Sequence, residues 1–418
     1  MSRSRDIANL LGSSSPIVDK TIVDAKGDLL VGSADNTVTK LTAGSTGQLP
    51  LVDSSTSSGL RYVDPPTNRN MIINGSMNLH QRATNFSGIS SGYAYRTADR
   101  WATGVSGAGT WTQSIENDGP SGTGFSKSLK MLCTTANPSL TGEAICFIYQ
   151  PVEGQNLQAI KKGSASAQNI SISFWTKSNI TGTFVIELVD EDNNRHIAST
   201  VSISSINTWE KKTIILPSDT TGPFDNDNNN SMSVVFWIAA GPTYSSGIVP
   251  STWASKSNAN RAAGTTNFSG TVNNYWQITG VQLEAGPVST PFEFEPYETT
   301  LRKCQRYFIN LRSDESSTGL LYFRIASGQN QSTTQAQFAI PLPVKMRTFP
   351  TLLQSATPSE FAVFANNVIT SITSMGINSH PQVLNLTANV TSGLTSGQGS
   401  QLIVNNNRNA WLAFEAEL

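Results

Sequence analysis

Apolar and polar residues alternate at period two through most of this chain, the spacing that turns one face of a β-strand toward a core and the other toward solvent. Ile170, Ile172 and Phe174 alternate with Ser171 and Ser173. Phe184, Ile186 and Leu188 share one face of the next run. Met232, Val234, Phe236 and Ile238 line another, and Val281 and Leu283 close a run that opens at Tyr275. Turn residues separate these windows. Many short strands with polar connections predict an all-β chain folded as a sandwich or jelly roll, not a set of βαβ units. One stripe departs from the pattern: Tyr297, Leu301, Cys304 and Phe308 recur at i, i+4, i+7 and i+11, which predicts a connecting helix over residues 297–311.

The N-terminal part reads differently. Ser4 can cap a short helix that carries Ile7, Leu10 and Leu11 on one side and stops at Gly12. A helix of about two turns is not stable alone in water, so residues 1–20 are expected to dock on another protein, with a frayed tail as the alternative. Residues 21–63 hold strand-like pieces at Thr21–Asp24, Asp28–Val31, Val38–Leu41, Gln48–Val52 and Leu60–Val63. Turn chemistry separates them at Lys26-Gly27, Ala34–Asn36, Gly44–Gly47 and Ser54–Ser58. Each piece has too few apolar residues to bury a core within one chain. Three identical chains wound together can bury them, which predicts a trimeric β shaft over residues 21–66; a Ser/Thr linker is the alternative. Asp64-Pro65-Pro66-Thr67 marks the boundary.

Composition narrows the classes. Of 418 residues only 14% are Asp, Glu, Lys or Arg, against roughly 25% in an ordinary soluble domain. Ser, Thr, Asn and Gly fill the difference, so the surface is polar but sparsely charged. The 38% of apolar residues is enough for real cores. A net charge of −1 supplies no basic face for a nucleic acid. The longest apolar run, Val234–Ala240, falls far short of the roughly 20 residues of a bilayer span. No apolar signal core follows Met1–Asp6, so neither membrane insertion nor secretion is expected. Cys133, Cys146 and Cys304 are odd in number and lack CxxC spacing, which suits folding in a reducing cytoplasm. A Cys133–Cys146 bridge is conceivable; reduced core cysteines are the expectation.

Catalytic and metal chemistry finds little footing. Gly88-Ile89-Ser90-Ser91-Gly92 matches GxSxG but reads as a Ser/Gly-rich loop without a strand–turn–helix around it. There is no Gly-Lys dipeptide for a phosphate loop, and His80, His196 and His380 have no zinc spacing. Two acidic stretches, Asp190–Asn194 and Asp225–Asn229, suggest calcium, but Asn230 and Phe236 stand where an EF-hand needs Gly and Glu. Solvated hairpin tips are the plainer reading. Glu187, Asp190, Glu191 and Asp192 crowd one strand end, whereas a polysaccharide depolymerase needs carboxylates facing each other across a cleft. The expectation is a protein with no catalytic residues, no cofactor and no metal. Sugar binding without cleavage needs an aromatic platform ringed by polar groups. The long connection 241–270 offers Tyr244, Trp253, Asn258, Asn260 and Arg261 for it, unless Trp253 packs inward. Asp99-Arg100-Trp101 reads as an internal Asp–Arg bond beside a buried Trp.

Several of these stretches resemble one family. Residues 21–62, from Thr21-Ile-Val-Asp-Ala-Lys-Gly27 through the Thr42–Gly47 turn, are similar to shaft repeats of tail fibres from tailed bacteriophages. Asn70-Met-Ile-Ile-Asn-Gly-Ser-Met77, Thr97–Trp101, Ser173–Lys177, Ile278–Gly286 and Thr290–Glu293 resemble that family's jelly-roll module. Tyr297–Phe308, with Cys304-Gln-Arg-Tyr307, resembles its joint to the next module. Pro341–Pro350 and Phe414–Leu418 resemble its small distal β domain. The resemblance implies an order: attachment segment 1–20, β shaft and linker 21–66, jelly roll 67–296, connecting helix 297–311 and C-terminal β-sandwich domain 312–418.

It also implies a homotrimeric virion tail fibre assembled in the host cytoplasm. Such a fibre docks on a tail or baseplate protein through Ile7, Leu10 and Leu11 and recognises a bacterial surface polysaccharide or outer-membrane protein. A capsid-anchored head fibre, a structural spacer or a depolymerase are the alternatives. With the N-terminus on the virion, residues 301–418 meet the host first. Receptor loops are then expected at 312–318, 327–334 and 392–400, with Arg312 and Arg324 near them.

Overall fold

A computed structural model describes residues 22–35, 37–45, 48–63, 68–312, 321–355, 357–378 and 380–418. The expected attachment residues Ile7, Leu10 and Leu11, the boundary at 64–67 and most of the 312–318 loop lie outside the described residues. The chain divides into two compact units, Met1–Arg69 and Asn70–Leu418.

In the first unit, β1 (Leu29–Ala34) pairs antiparallel with β2 (Thr37–Leu41), and β3 (Leu49–Val52) with β4 (Leu60–Val63). The strand expected at Thr21–Asp24 is absent among its described residues; Asp24 instead pairs with Lys40 at 2.6 Å. Leu29, Leu49 and Val52 are exposed. Neither hairpin builds a core of its own.

The second unit is all-β and opens with a sandwich. Its strands are β5 (Asn85–Tyr95), β6 (Ala102–Glu116), β7 (Ser128–Thr135), β8 (Ile145–Glu153), β9 (Ile170–Ser178), β10 (Gly182–Asp190), β11 (Arg195–Ile203), β12 (Glu210–Leu216), β13 (Asn230–Ala240), β14 (Ala254–Ser255) and β15 (Tyr275–Ala285). They hydrogen-bond in the order β12-β9-β15-β7-β6-β8-β13-β10-β11-β14, with β5 also on β6. This long sheet folds over on itself. Phe174 of β9 meets Phe236 of β13 at 5.4 Å between ring centres, and Phe184 of β10 meets Trp276 of β15 at 5.4 Å. The period-two residues of the sequence form this core.

The Asn70–Met77 segment closes the sandwich, though not as a strand. Met71 N donates to Leu283 O at 2.9 Å, and the Asn70 side chain bridges to the Val281 carbonyl and the Leu283 amide. Gly75 lies where only a glycine fits, since a Cβ there would stand 2.1 Å from Val281 O. Asn74 ties the turn to Leu79 and Asp99. The GxSxG stretch is not a loop: it lies inside β5, whose register slips around Ile89.

The helix is shorter than its stripe. It runs Tyr297–Gln305, with Cys304 buried and Tyr297 exposed, and Phe308 belongs instead to β16 (Phe308–Arg312). Arg306 and Tyr307 both bond Glu153 of β8, and Phe308 pairs with Glu415, so sheet pairing overrides the helical spacing.

The distal strands are β17 (Arg324–Asn330), β18 (Gln335–Pro341), β19 (Thr351–Gln354), β20 (Phe361–Ala365), β21 (Val368–Asn378), β22 (Val383–Val390), β23 (Gly399–Val404) and β24 (Trp411–Glu415). Where a β-sandwich domain was expected, β17-β18-β22-β21-β20-β23 close into a barrel, and β16-β24-β19 form a separate three-stranded sheet. Closure follows from β23, which pairs with β17 on one side and β20 on the other. Among the described residues no helix is long and apolar enough to cross a membrane.

Candidate functional site

The sandwich halves differ in their outward faces. Strands β8, β13 and β10 carry apolar side chains on both sides: Phe236 and Ile238 point to the core, while Val235 and Trp237 point away from it. The segment after β13 crosses part of that second face. A short helix, α1 (Pro242–Ser245), opens it. Pro250 accepts from Ala198 N at 3.0 Å, and Ala262 N donates to Tyr244 O at 2.8 Å.

What the segment leaves uncovered is a cleft of about 290 Å³. Tyr93, Phe147, Tyr149, Trp237, Tyr244 and Arg261 give it its character. The rings form a connected row: Tyr93–Phe147 at 5.9 Å, Phe147–Trp237 at 4.8 Å, Trp237–Tyr244 at 5.5 Å, and Phe147–Tyr149 at 5.6 Å. Tyr93 is 63% exposed. Gly104 on β6 makes room for the row, because a Cβ there would come within 3 Å of both the Phe147 and Tyr93 rings.

A buried carboxylate anchors the cleft. Glu187 accepts from Trp237 Nε1 at 2.9 Å, from Arg261 Nε at 2.9 and 3.0 Å, and faces His196 Nδ1 at 2.9 Å. Ser257 N points at His196 Nε2, which assigns the imidazole proton to Nδ1. Burial alone raises the Glu187 pKa, but the His196 bond, the Arg261 charge and the Trp237 indole together hold it below the ordinary value. The Arg261 guanidinium lies 5.1 Å from the Trp237 ring centre and 5.9 Å from that of Tyr244. The other end of the cleft is polar: Glu191 accepts from Ser233 Oγ at 3.1 Å and pairs with Lys256 at 3.3 Å. Aromatic faces beside fixed donors and acceptors suit a sugar, whose C–H faces stack while its hydroxyls find hydrogen bonds.

Of the sequence candidates, Tyr244 and Arg261 meet in this cleft. Trp253 does not. It is 8% exposed, donates to Pro217 O at 3.1 Å and packs near Lys162, so the sandwich takes it inward. Asn260 accepts from Ile248 N at 3.0 Å and pins its own loop. Arg324 lies on the barrel, 5.8 Å from the Phe364 ring centre, and Arg312 ends β16 opposite Trp411; neither lines the cleft. The expected loops 327–334 and 392–400 are partly strand, since β17 runs to Asn330 and β23 starts at Gly399, and they come together through Asn330 N to Gln398 O and Ser396 Oγ to Gln331 O.

The acidic stretches are engaged within the protein. The Lys162 ammonium meets Asp190 at 2.6 Å, Asp219 at 3.1 Å, and the carbonyls of Thr221 and Gly222 at 2.8 and 2.7 Å. A lysine thus occupies an oxygen cage of the kind a cation would fill. Among the described residues no cluster of three His, Cys, Asp or Glu could hold a metal ion. The three cysteines are free and buried, with burial raising their thiol pKa values. In Asp99-Arg100-Trp101 the Trp is buried, but the Asp–Arg bond is not made. Asp99 accepts from Gln81, and Arg100, at a φ of 71°, turns to Pro151 O and Glu417.

Tyr93, Phe147, Tyr149 and Trp237 were not singled out from sequence, and Glu187 was read there only as part of an acidic cluster at one strand end. The signal was present in part: Ile145, Phe147 and Tyr149 alternate on one side of β8, and Val234–Ala240 is apolar on both sides, as in a strand covered on both faces.

No protein-family model matches this chain, and no curated protein matches its sequence. Solved structures do. A domain of tailspike protein 4 of bacteriophage CBA120 is 13% identical over 52% of this chain and 21% of its own, with a TM-score of 0.29. A family 11 carbohydrate-binding module from Clostridium thermocellum, solved with a mixed-linked tetrasaccharide, is 10% identical over 50% of this chain and 99% of its own, with a TM-score of 0.25. The CBM22-1 xylan-binding domain of Paenibacillus barcinonensis Xyn10C is 8% identical over 49% and 95%, with a TM-score of 0.22. This chain's match spans about a fifth of the tailspike chain, and at these scores the likenesses carry no argument about this protein.

Proposed function

We propose that this chain recognises a glycan in the aromatic cleft of its sandwich, and that it does so as a homotrimeric tail fibre of a bacteriophage. The observation that carries the glycan reading is the row Tyr93, Phe147, Trp237 and Tyr244 beside an arginine fixed by a buried carboxylate. The tail-fibre reading, with docking through residues 1–20 and adsorption to a bacterial surface, rests on the sequence resemblance. Binding rather than hydrolysis fits the cleft: Glu187 is ionised and saturated with donors, a poor general acid, and Glu191 is engaged by Ser233 and Lys256.

The charged side chains here, Arg261 and Glu191, already have partners inside the protein. An uncharged sugar segment therefore binds without displacing an ion pair, and its binding should change little with salt. The test is an array of purified bacterial O-antigen and capsular polysaccharides. The parent protein should bind at least one of them, and Tyr93→Ala should weaken that binding about tenfold, the worth of one stacked ring. Binding that survives in both Tyr93→Ala and Tyr244→Ala would move recognition elsewhere, with the paired loops 327–334 and 392–400 next to examine. New reducing ends on incubation with the bound polysaccharide would replace the binding reading by a depolymerase.

A further inference from the structure

The distal domain reaches into the jelly-roll cleft. Leu418 is among the residues that line it, and its main-chain oxygen accepts from Tyr95 Oη at 3.2 Å. Tyr95 pairs with Ala102, which pairs in turn with Tyr149 of the cleft.

A dense set of charges holds Leu418 in this place. Glu417 bonds Arg100 and, at 3.1 Å, Arg82, which also takes Glu415 at 2.8 Å. Arg347 donates to the carbonyls of Ala416 and Glu417 at 2.8 and 2.6 Å. Arg82 and Arg100 stack on Phe308 and Tyr307, their guanidinium carbons 3.7 and 3.6 Å from the ring centres. Arg100 is only 1% exposed. Ion pairs this deep are a costly way to join two domains, and apolar packing would hold them at least as well. What forked guanidinium bonds add is geometry: they fix a backbone segment in one place.

We propose that the glycan site is built by both domains: Leu418, held by Arg82, Arg100 and Arg347, forms a wall of the cleft and decides which sugars the aromatic row accepts. This rests on the reading of the cleft as a glycan site. A leucine wall acts by volume. It excludes a substituent that would stand in its place and packs against a sugar that lacks one. Discrimination of this kind between ligands differing by one small group runs to roughly 10–200-fold. Glu417 acts through Leu418 and is a positioning residue.

The experiment compares the full-length parent with Leu418→Ala, Leu418→Trp, Glu417→Gln, Tyr93→Ala and Tyr244→Ala on the same polysaccharide array. The quantity read is the ratio of affinities between polysaccharides, which a loss of folded protein leaves unchanged. Leu418→Ala and Leu418→Trp should each alter at least one ratio about tenfold, at an unchanged melting temperature. Glu417→Gln should shift the ratios in the same direction as Leu418→Ala. Parent-like ratios in both Leu418 variants, while Tyr93→Ala loses binding, would overturn the composite site and leave the glycan reading standing. A uniform drop without a change in ratio in Glu417→Gln would overturn its positioning role. Parent-like binding by both Tyr93→Ala and Tyr244→Ala would bring down both readings.

Discussion

At the scale of single residues, this sparsely charged chain places much of its charge inside and meets it there with partners. Glu187 has three donors, and Lys162 has four oxygens. Asp99 is a buried carboxyl whose desolvation is only partly compensated. Desolvation raises its pKa to about 6 against 3.8, with Arg82 and Gln81 only partly offsetting the rise. A carboxyl whose folded pKa is raised contributes stability that is fully present below the unfolded pKa and is lost as pH climbs through the folded one. Acidification from pH 7 to pH 4 should therefore stabilise the parent relative to Asp99→Asn by up to about 3 kcal/mol, taking 1.36 kcal/mol per unit. Urea midpoints of the two proteins across that range measure it. A difference that stays flat would show that Asp99 does not titrate near 6.

At the scale of elements, two devices shape the sandwich beyond simple alternation. Strands with two apolar faces let the sheet carry a core on one side and the cleft on the other. Close backbone approach at glycines sets where segments meet. Gly75 is the sharper case, because its missing Cβ would overlap the Val281 carbonyl. Gly75→Ala has to push the closing segment off β15, at a cost of about 3 kcal/mol by analogy with overpacked cores. The expected readout is a melting temperature several degrees lower. An unchanged melting temperature would mean that the segment is not held as tightly as its hydrogen bonds suggest. The barrel shows the converse, a turn its own residues specify. Asn366 and Asn367 adopt positive φ values of 49° and 60° between Ala365 and Val368, the two-residue hairpin geometry that asparagine tolerates.

At the scale of the whole molecule, the two hairpins of the first unit leave Leu29, Leu49 and Val52 at 42%, 52% and 75% exposure. An isolated two-stranded hairpin is marginal in water, and apolar side chains this open call for a cover. We expect two further copies of the chain to supply it with three-fold symmetry. Sedimentation should then give about three times the chain mass of 44.8 kDa. A folded monomer at micromolar concentration would remove the shaft, although the sandwich and its cleft would survive.

Local pattern decided much of this protein by itself. The period-two windows marked the core strands because one face of a strand must leave water, and that constraint is written in neighbouring residues. Tyr244 and Arg261, which line the cleft, were legible as candidates because aromatic and donor groups lay close together in one polar connection. Only the tertiary structure decided the rest. Trp253 has the same chemistry as a platform residue, and its burial depends on where Pro217 and Lys162 arrive from other segments of the chain. Arg100 looked bound to its neighbour Asp99, yet its partner Glu417 comes from the far end of the chain. The helix stripe ran on to Phe308 until pairing with Glu415 claimed that residue for a sheet. Each of these outcomes turns on contacts between distant segments, which local periodicity does not encode.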